Sequence, residues 1–278
     1  MITVTSIAEL RQALSQFPKP VGFVPTMGYL HEGHLSLVRR AKAENPTVVV
    51  SIFVNPTQFG PSEDLEAYPR DLKRDLSLLE NEGTDLVWTP TSNEMYPPDF
   101  QTWVTVENIT QVMEGNQRPG HFRGVTTVVA KLFNAVQPQK AYFGQKDAQQ
   151  AAVIRQMVQD LNYPLEIVIC PIVREPDGLA MSSRNSYLNS KEREAATVLY
   201  RALTVAIRAY NSGEKSPERL REIMRETINQ EPLVHIQYIS CADAVTLQEL
   251  DKPIQATALL SMAVFVGKTR LIDNVVIG

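Results

Sequence analysis

The residues with the clearest chemical potential are His31 and His34, in the segment 25–34 (Pro-Thr-Met-Gly-Tyr-Leu-His-Glu-Gly-His). This segment joins an apolar run at residues 21–24 to a stretch with helical spacing at residues 35–44. A helix N-terminus presents unpaired N–H groups and a partial positive charge, and glycines let a ligand approach the backbone. Since residues three apart share a helix face, we expect two imidazoles that stabilise charge on a phosphoryl group.

Two other interpretations of the histidine pair remain open. His-x-x-His could hold a metal ion, although helical metal pairs are often His-x-x-x-His, and neither a cysteine nor an acidic cluster lies nearby in the sequence. The histidines could also lie incidentally at the start of a surface helix. The chain contains neither Gly-x-x-x-x-Gly-Lys-Ser/Thr nor Gly-x-Gly-x-x-Gly, which excludes a P-loop enzyme and disfavours the usual dinucleotide-binding fold.

A second candidate phosphate-binding segment is Met181-Ser182-Ser183-Arg184. It offers two hydroxyl groups and a guanidinium, which can bind phosphate oxygens in a bidentate manner. By itself the segment is more typical of a polar loop. Together, His-x-Gly-His after a first strand and this loop after the last parallel strand resemble the two signatures of the nucleotidyltransferase superfamily, which includes class I aminoacyl-tRNA synthetases.

The elements that must position these segments follow an α/β pattern. Helix-like stretches at residues 35–44, 71–81, 125–136 and 149–161 alternate with short apolar runs at residues 21–24, 48–54, 86–88, 140–144 and 165–170. Such alternation predicts a parallel sheet wound by right-handed crossovers. We therefore predict a Rossmann-like N-terminal domain over residues 1–172.

The pattern changes after residue 172. A turn at residues 174–178 precedes two long polar helices, at residues 190–211 and 216–229, with Ser190 and Ser216 as N-caps. Strand-like runs follow at residues 235–241, 257–266 and 271–277, and residues 267–270 form the turn between the last two. This predicts a smaller α+β domain at residues 173–278, which the resemblance below places over the active site.

Several further segments closely resemble the pantothenate synthetase (pantoate–β-alanine ligase) family. They occur in family order at residues 25–34, 53–59, 68–70, 118–125, 142–147 and 181–184, with Asn185, Tyr187 and Leu188 around the last. The resemblance implies an enzyme that condenses (R)-pantoate with β-alanine at the expense of ATP. It also implies a pantoyl-adenylate intermediate, AMP and pyrophosphate as products, and a role in coenzyme A biosynthesis.

Family positions carried over by resemblance imply the site residues. Those implied to act in catalysis are His31, His34, Lys146, Ser182, Ser183 and Arg184. Those implied to bind ATP are Pro25, Thr26, Met27, Gly28, His31, His34, Gly144, Lys146, Asp147, Val173, Met181, Ser182, Ser183 and Arg184. Without the resemblance, Asp147 would be interpreted as a helix N-cap. His34 is interpreted as a charge stabiliser and a possible acid.

The residues implied to bind pantoate are Asn55, Gln58, Met27, Gln150, Val125, Val128 and Val129. The amides suit a hydroxy acid, and Asn55 is expected to support Gln58. Gln150 follows Asp147 by three residues, so we expect both on one helix face. As bare patterns, the valines are more typical of a core, and Gln58 could also be a polar cap at a strand end. Residues 60–70 are expected to form a mobile lid that protects the adenylate from water.

Mg²⁺ is expected to accompany ATP, with metal ligands left unassigned. Asp75 is one candidate for a nearby carboxylate, and a solvated helix residue is the interpretation we favour for it. The family also implies a homodimer. Two competing functions stay open: a nucleotidyltransferase of the same superfamily with a different acceptor, which the segments at 55–59 and 118–122 disfavour, and a non-catalytic nucleotide sensor.

Composition limits the other function classes. The chain has 278 residues, with 27 Lys+Arg and 31 Asp+Glu and a net charge of −4, and it carries no basic patch of the kind that nucleic-acid binders need. Its longest apolar stretch, residues 256–266, is shorter than the ~20 residues that span a bilayer. Cys170 and Cys241 lie among apolar neighbours and predict buried free thiols in a reducing compartment. We therefore expect a cytoplasmic protein without nucleic-acid or membrane partners.

Overall fold

The computed structural model describes residues 1–61 and 63–278, so Ser62, in the predicted lid, lies outside the described residues. The strands are β1 (Ile2–Val4), β2 (Val21–Thr26), β3 (Thr47–Ile52), β4 (Leu86–Trp88), β5 (Lys140–Gly144), β6 (Glu166–Cys170), β7 (Val234–Asp243), β8 (Ala258–Val266) and β9 (Thr269–Ile277). The helices are α1 (Ile7–Leu14), α2 (Glu32–Glu44), α3 (Leu72–Asn81), α4 (Ser92–Met95), α5 (Met113–Gln117), α6 (His121–Val136), α7 (Ala148–Asp160), α8 (Ser190–Ala195), α9 (Val198–Asn211) and α10 (Pro217–Ile228). Short 3-10 turns cover Pro56–Gln58, Gln145–Asp147 and Ser183–Tyr187.

The chain forms two compact units. The first unit comprises Met1–Thr110, Gly115–Gln145 and Gln150–Pro171. The second comprises Gln111–Glu114, Lys146–Gln149 and Ile172–Gly278.

The first unit is built on a six-stranded sheet with the order β1-β4-β3-β2-β5-β6, in which all neighbouring strands run parallel. Val48, Val49 and Val50 are all fully buried, because apolar side chains of α1, α6 and α7 cover one face of the sheet and those of α2 and α3 cover the other. A strand covered on both faces is a continuous apolar run. The predicted Rossmann-like parallel sheet is confirmed.

The order of the strands reverses between β2 and β5. From β2 the chain proceeds to β3 and β4 on one side, whereas β5 and β6 lie on the other. Open α/β sheets bind ligands outside the carboxyl ends of their strands at such a switch point. The segment that follows β2 carries His31 and His34.

The second unit is built on the antiparallel sheet β7-β8-β9. Apolar side chains of α8, α9 and α10 pack with the sheet around a separate core that includes Leu199, Leu203, Met224, Met262 and Val264. The predicted α+β character is confirmed. The turn between β8 and β9 is tighter than predicted, because β8 ends at Val266 and β9 already begins at Thr269.

Several predicted boundaries are wrong for local reasons. Asn189, not Ser190, is the N-cap of α8, because its side chain accepts two backbone N–H bonds. The predicted long helix breaks between α8 and α9, whereas Ser216 does cap α10. Strand β1 and helix α1 were not predicted, since β1 is only three residues long and carries too little periodicity to recognise. Cys170 and Cys241 are buried free thiols, as predicted.

Candidate functional site

Three segments with predicted site residues leave the carboxyl ends of neighbouring strands in the first unit. Asn55 and Gln58 follow β3, residues 27–34 follow β2, and Gly144 ends β5. Thr26 at the end of β2 pairs with Ile52 at the end of β3. Because parallel strands end at the same edge of a sheet, the fold brings these segments together where ligands bind.

The two histidines form the N-terminal cap of α2. His31 is the N-cap residue in extended conformation and the helix begins at Glu32, so His34 lies on the helix and His31 precedes it, and the argument from a shared helix face does not apply to His31. The Nδ1 atom of His31 accepts a bond from the backbone N–H of Gly33 at 3.1 Å, and His34 Nδ1 accepts one from the backbone N–H of His31 at 3.3 Å. The rings are nevertheless neighbours, with centroids 4.1 Å apart.

These capping bonds determine the tautomer of both rings. Because each Nδ1 accepts an N–H, it must keep its lone pair, and the neutral ring carries its proton on Nε2. Protonation of Nδ1 would set an N–H group against a backbone N–H group. It would also place two positive rings with centroids only 4.1 Å apart. In each neutral ring, Nε2–H is therefore the hydrogen-bond donor.

Asp75 anchors the turn that precedes the histidines. It lies on α3 and is buried, so the favoured interpretation as a solvated helix residue is wrong. One carboxylate oxygen accepts the backbone N–H of Tyr29 at 2.7 Å and the other accepts that of Leu30 at 2.8 Å. Burial raises the pKa of Asp75, and the two N–H groups oppose that shift.

The anchored turn has an unusual backbone. Gly28 and Tyr29 have φ values of 82° and 50°, and a left-handed conformation is uncommon for a residue with a side chain. A Cβ atom on Gly28 would also approach within 3.0 Å of the Asp75 carboxylate and of Ile52. The Asp75 bonds are therefore what holds residues 28–30 in the path that leads to His31.

Asn55, Gln58 and Met27 are in contact. The buried Asn55 Nδ2 donates to Gln58 Oε1 at 3.2 Å and to the carbonyl of Gly124 at 3.2 Å. The Nε2 atom of Gln58 donates to Met27 Sδ at 2.9 Å. Tyr96 Oη donates to Asn55 Oδ1 at 2.9 Å. Three residues predicted from the family pattern thus form one hydrogen-bonded group beside the strand ends.

The valines predicted to contact pantoate are buried in the hydrophobic core. Val125, Val128 and Val129 are at most 5% exposed and belong to the hydrophobic cluster on one face of the parallel sheet. Their helix, α6, packs tightly against the turn that carries Gln58, because a Cβ atom on Gly124 would lie 2.3 Å from the Thr57 carbonyl oxygen. This contact requires glycine at position 124.

A charged cluster links the predicted lid to the start of α6. Arg118 donates to both carboxylate oxygens of Glu63 at 2.7 Å and contacts His121 Nε2 at 3.1 Å. His121 Nδ1 donates to the carbonyl of Gln58 at 2.8 Å. The ring of Tyr68, within the lid, packs edge to face against the ring of Phe59, which precedes the lid.

The Glu63–Arg118 pair predicts a pH dependence. Burial raises the pKa of Glu63, but bonding to Arg118 outweighs it and the net pKa lies below the ordinary value of 4.5. A depressed carboxyl pKa stabilises the fold above the ordinary pKa, and this stabilisation is lost as the pH falls through the folded value. We expect the wild type to exceed Glu63→Gln in unfolding free energy by about 1 kcal/mol at pH 7, with the difference vanishing in acid.

Denaturant unfolding of both proteins between pH 7 and pH 3 checks this expectation. Glu222→Gln, which removes an exposed partner of Arg219, is the control and should differ little from wild type at any pH. A Glu63→Gln difference that is constant with pH would contradict the assigned pairing.

Predicted residues of the second unit lie in two segments. Ser182 is the N-cap of the 3-10 turn Ser183–Tyr187 and accepts the Arg184 N–H at 3.3 Å. Met181 N–H donates to the Val173 carbonyl at 3.0 Å, which closes the loop between them. Lys146 lies in the 3-10 turn Gln145–Asp147, with its Nζ 4.0 Å from Asp147.

Asp147 and Gln150 lie at the start of α7. The helix begins at Ala148, so Asp147 lies in the 3-10 turn that precedes it, whereas Gln150 lies in the first turn of the helix. That their side chains share one face stays a prediction.

Comparison with known proteins gives the family. The family model described as pantoate-beta-alanine ligase matches residues 2–276. The chain belongs to the pantoate-beta-alanine ligase family. A pantothenate synthetase of Herpetosiphon aurantiacus is 61% identical over 276 residues, which cover 99% of this chain and 100% of that protein.

Solved structures of this ligase family agree in fold. The crystal structure of pantothenate synthetase from Thermus thermophilus has a TM-score of 0.95 at 50% identity, covering 99% of each chain. The pantoate-beta-alanine ligase of Francisella tularensis, described as complexed with beta-gamma ATP and beta-alanine, has a TM-score of 0.81 at 35% identity over 99% of this chain and 97% of its own. The sequence resemblance and the fold class are confirmed.

Sequence reasoning missed several residues that organise the site of this ligase. Nothing in the linear pattern connects Asp75 with residues 29–30, because the contact depends on the approach of α3 to the β2–α2 turn. A weaker signal existed for Asp273 and Asn274, two adjacent polar residues in an otherwise largely apolar final strand. The sequence also gave no indication that Glu63 bonds to Arg118, although Arg118 belongs to the family-like segment at residues 118–125.

The described residues contain neither a metal-binding cluster nor a helix that could cross a membrane. Among residues 1–61 and 63–278, no group of three or more His, Cys, Asp and Glu side chains is arranged to hold a metal ion. Both oxygens of Asp75 already accept N–H bonds, which suits an anchor better than a metal ligand. In the part of the chain that the structure describes, every helix is too short or too polar to cross a membrane.

Proposed function

We propose that the protein condenses (R)-pantoate with β-alanine to form pantothenate, using ATP and releasing AMP and pyrophosphate. The observation that carries the proposal is the capping of α2 by the Nδ1 atoms of His31 and His34 at the switch point of the parallel sheet, which leaves Nε2–H as the donor of each neutral ring. The ligand-bound relative from Francisella tularensis, described with beta-gamma ATP and beta-alanine, supports the choice of substrates.

The chemistry of the first step suits neutral donors. A pantoate carboxylate oxygen attacks the α-phosphorus of ATP, and the bond from that phosphorus to the bridging oxygen breaks, giving pantoyl-adenylate and pyrophosphate. No proton has to move, but negative charge grows on the leaving oxygen. Preorganised N–H donors aimed at developing charge typically contribute about 10²–10³ in rate each. We assign this role to His34, with His31 beside it.

In the second step the amine of β-alanine attacks the acyl carbon of the adenylate. The C–O bond to AMP breaks, a C–N bond forms, and the ammonium product loses a proton to solvent. We propose that residues 60–70 act as the lid that keeps water from competing with the amine. The bonds of Arg118 to Glu63 support this role, since they give the lid a defined attachment.

The remaining assignments follow the family pattern. We propose that residues 1–172 bind nucleotide and pantoate and that residues 173–278 supply the second phosphate-binding signature. Lys146, Ser182, Ser183 and Arg184 neutralise the phosphates, and Mg²⁺ arrives coordinated by ATP. Further ATP contacts are assigned to Pro25, Thr26, Met27, Gly28, Gly144, Asp147, Val173 and Met181. A homodimer in the cytoplasm completes the proposal.

For pantoate, we propose that Gln58 and Gln150 bind the hydroxyl and carboxylate groups, because an amide both donates and accepts. The hydrogen bonds of Gln58 to Asn55 and Met27 support the assignment, since they orient the amide. Val125, Val128 and Val129 are proposed to enclose the methyl groups of pantoate.

The contact between Gly124 and the Gln58 turn gives a test of the pantoate assignment. Gly124→Ala would force the Pro56–Gln58 turn away from α6, because the new Cβ would lie 2.3 Å from the Thr57 carbonyl oxygen. Overpacking of this size costs about 1–3 kcal/mol. We expect KM for pantoate to rise about tenfold while KM for ATP changes little.

Initial-rate kinetics with each substrate varied checks the Gly124 prediction. Gly213→Ala is the matched control: nothing lies within 4 Å of its Cβ position, but its φ of +108° makes alanine strained. It should therefore lose stability and keep both KM values. An unchanged KM for pantoate in Gly124→Ala would show that the turn does not set pantoate binding.

One assay tests the proposed function against its alternatives. The protein is incubated with Mg-ATP and pantoate, with and without β-alanine, while AMP, pyrophosphate and pantothenate are measured. Pantothenate together with AMP is the expected result. Transfer of a nucleotide to another acceptor would favour the nucleotidyltransferase, and tight ATP binding without turnover would favour the sensor. An enzyme-bound pantoyl-adenylate in the reaction without β-alanine would support the intermediate.

A further inference from the structure

A buried polar pair lies in the middle of strand β9 in the second unit. Asp273 and Asn274 are 1% and 3% exposed, although most of the strand around them is apolar. Burying a charge or an amide is costly unless it is fully hydrogen-bonded. The hydrogen-bond partners of Asp273 and Asn274 therefore show which segments of the chain the two residues position.

Asp273 fixes the loop that leads to the segment Ser182–Arg184. Arg174 donates to its two carboxylate oxygens at 2.6 and 2.9 Å. The same guanidinium donates to the Gly178 carbonyl at 3.0 Å and stacks on the ring of Tyr200, with Cζ 4.5 Å from the ring centroid. Because the loop closes through the bond from Met181 N–H to the Val173 carbonyl, fixing Arg174 also fixes the chain that enters Ser182–Arg184.

Asn274 bonds to the segment that contains Lys146, the other residue assigned to the phosphates. Its Nδ2 donates to the backbone carbonyl of Lys146 at 2.8 Å. The backbone N–H of Asn274 donates to Asp273 Oδ1 at 2.8 Å, which fixes the Asp273 carboxylate relative to the backbone of Asn274. The positive charge of Lys146 also faces Asp273: burial raises the pKa of this carboxyl, and Arg174 and Lys146 oppose that shift.

We propose that Asp273 and Asn274 are positioning residues that hold the Lys146 segment and the loop leading to Ser182–Arg184 in fixed relation for binding the triphosphate of ATP. The inference rests on the proposed function, since Lys146, Ser182 and Arg184 are assigned to ATP there. Neither residue needs to touch the nucleotide. A buried ion pair is by itself weak evidence for stability. A positioning role explains why Asp273 bonds to Arg174 while the adjacent Asn274 bonds to Lys146, in a separate segment.

A double-mutant cycle tests the Asn274 side of the proposal. Four proteins are compared: wild type, Asn274→Ala, Lys146→Ala and the double variant. If Asn274 acts by placing Lys146, Asn274→Ala lowers kcat/KM for ATP about tenfold in the wild-type background, which corresponds to about 1.4 kcal/mol. In the Lys146→Ala background the same change should have less than about a twofold effect, because the side chain being positioned is already gone.

Asn45→Ala is the matched control. Asn45 is a buried asparagine of the first unit whose Nδ2 also donates to a backbone carbonyl, that of Ala41, at 2.8 Å. It should lose similar stability and keep its kinetics with ATP. Equal effects of Asn274→Ala in both backgrounds, or kinetics no worse than those of Asn45→Ala, would overturn the proposal.

The same cycle separates this inference from the proposed function. If wild type makes no pantothenate, the proposed function fails, but the ATP dissociation constants of the four proteins, measured by calorimetry, still show whether Asn274 acts through Lys146. Asp273→Asn provides a second variant. It should weaken ATP binding about tenfold, and Asp177→Asn, which removes an exposed partner of Arg193 in the same loop, should not.

Discussion

Replacing His34 with alanine is expected to slow formation of the acyl-adenylate by about 10²–10³-fold, while ATP binding weakens by less than about tenfold. The reason is that its Nε2–H acts mainly on charge that develops in the transition state. The alanine variant also leaves the backbone N–H of His31 without its capping acceptor. Single-turnover rates and calorimetric ATP binding measure the two effects separately.

His235→Ala is the control for the His34 variant, since His235 is an exposed histidine of β7. It should leave both the rate and the ATP affinity unchanged. His34→Gln should recover part of the lost rate, because a glutamine amide can accept the backbone N–H or donate to a phosphate oxygen, although without the rigidity of the ring. Equal losses in rate and affinity for His34→Ala would contradict a role specific to the transition state.

Asp75→Asn is expected to reduce both stability and adenylation. An amide can accept from only one of the two N–H groups that Asp75 now binds, and its NH₂ group would face the other. Losing such a charge-assisted bond in a buried place costs about 2–3 kcal/mol. The turn that leads to His31 would shift, and a displacement of about 1 Å at a catalytic group can cost about 10²-fold in rate.

Asp71→Asn is the matched control for Asp75→Asn. Asp71 is the exposed N-cap of the same helix and accepts one backbone N–H at 3.0 Å. It should lose no more than about 1 kcal/mol and keep its adenylation rate. Recovery of Asp75→Asn by high Mg²⁺ would indicate a metal ligand instead. An unchanged single-turnover rate at saturating ATP would indicate a residue that only stabilises the fold.

The sequence predicted the sheet well because burial on both faces leaves a strong pattern. The run at residues 48–54 is apolar at every position except Ser51, and its assignment required no tertiary information. The helix that begins at Glu32 was predicted to start later, because its N-cap is a histidine and not one of the usual capping residues. Cap geometry of that kind is visible only in coordinates.

In the candidate site, too, some residues could be predicted from the sequence and others could be recognised only from the coordinates. Met27, Asn55 and Gln58 were found through their resemblance to family segments, and their mutual bonds are local to the strand ends. Asp75 was misjudged as solvated because the spacing of an amphipathic helix does not reveal which polar residue meets a neighbouring turn. Asn274 lies 128 positions from Lys146, and neither propensity nor periodicity carries information over that separation.

The capping bonds of the histidines have a consequence for why this residue type is required. Imidazole is a rigid ring with an acceptor on one edge and a donor on the other. The backbone N–H that donates to Nδ1 therefore polarises the ring and makes its Nε2–H a stronger donor. Hydrogen bonds linked in such a relay strengthen one another by about 10–30% each. The positive end of α2 is thereby extended by the width of a ring, in a group more rigid than the amide of a glutamine.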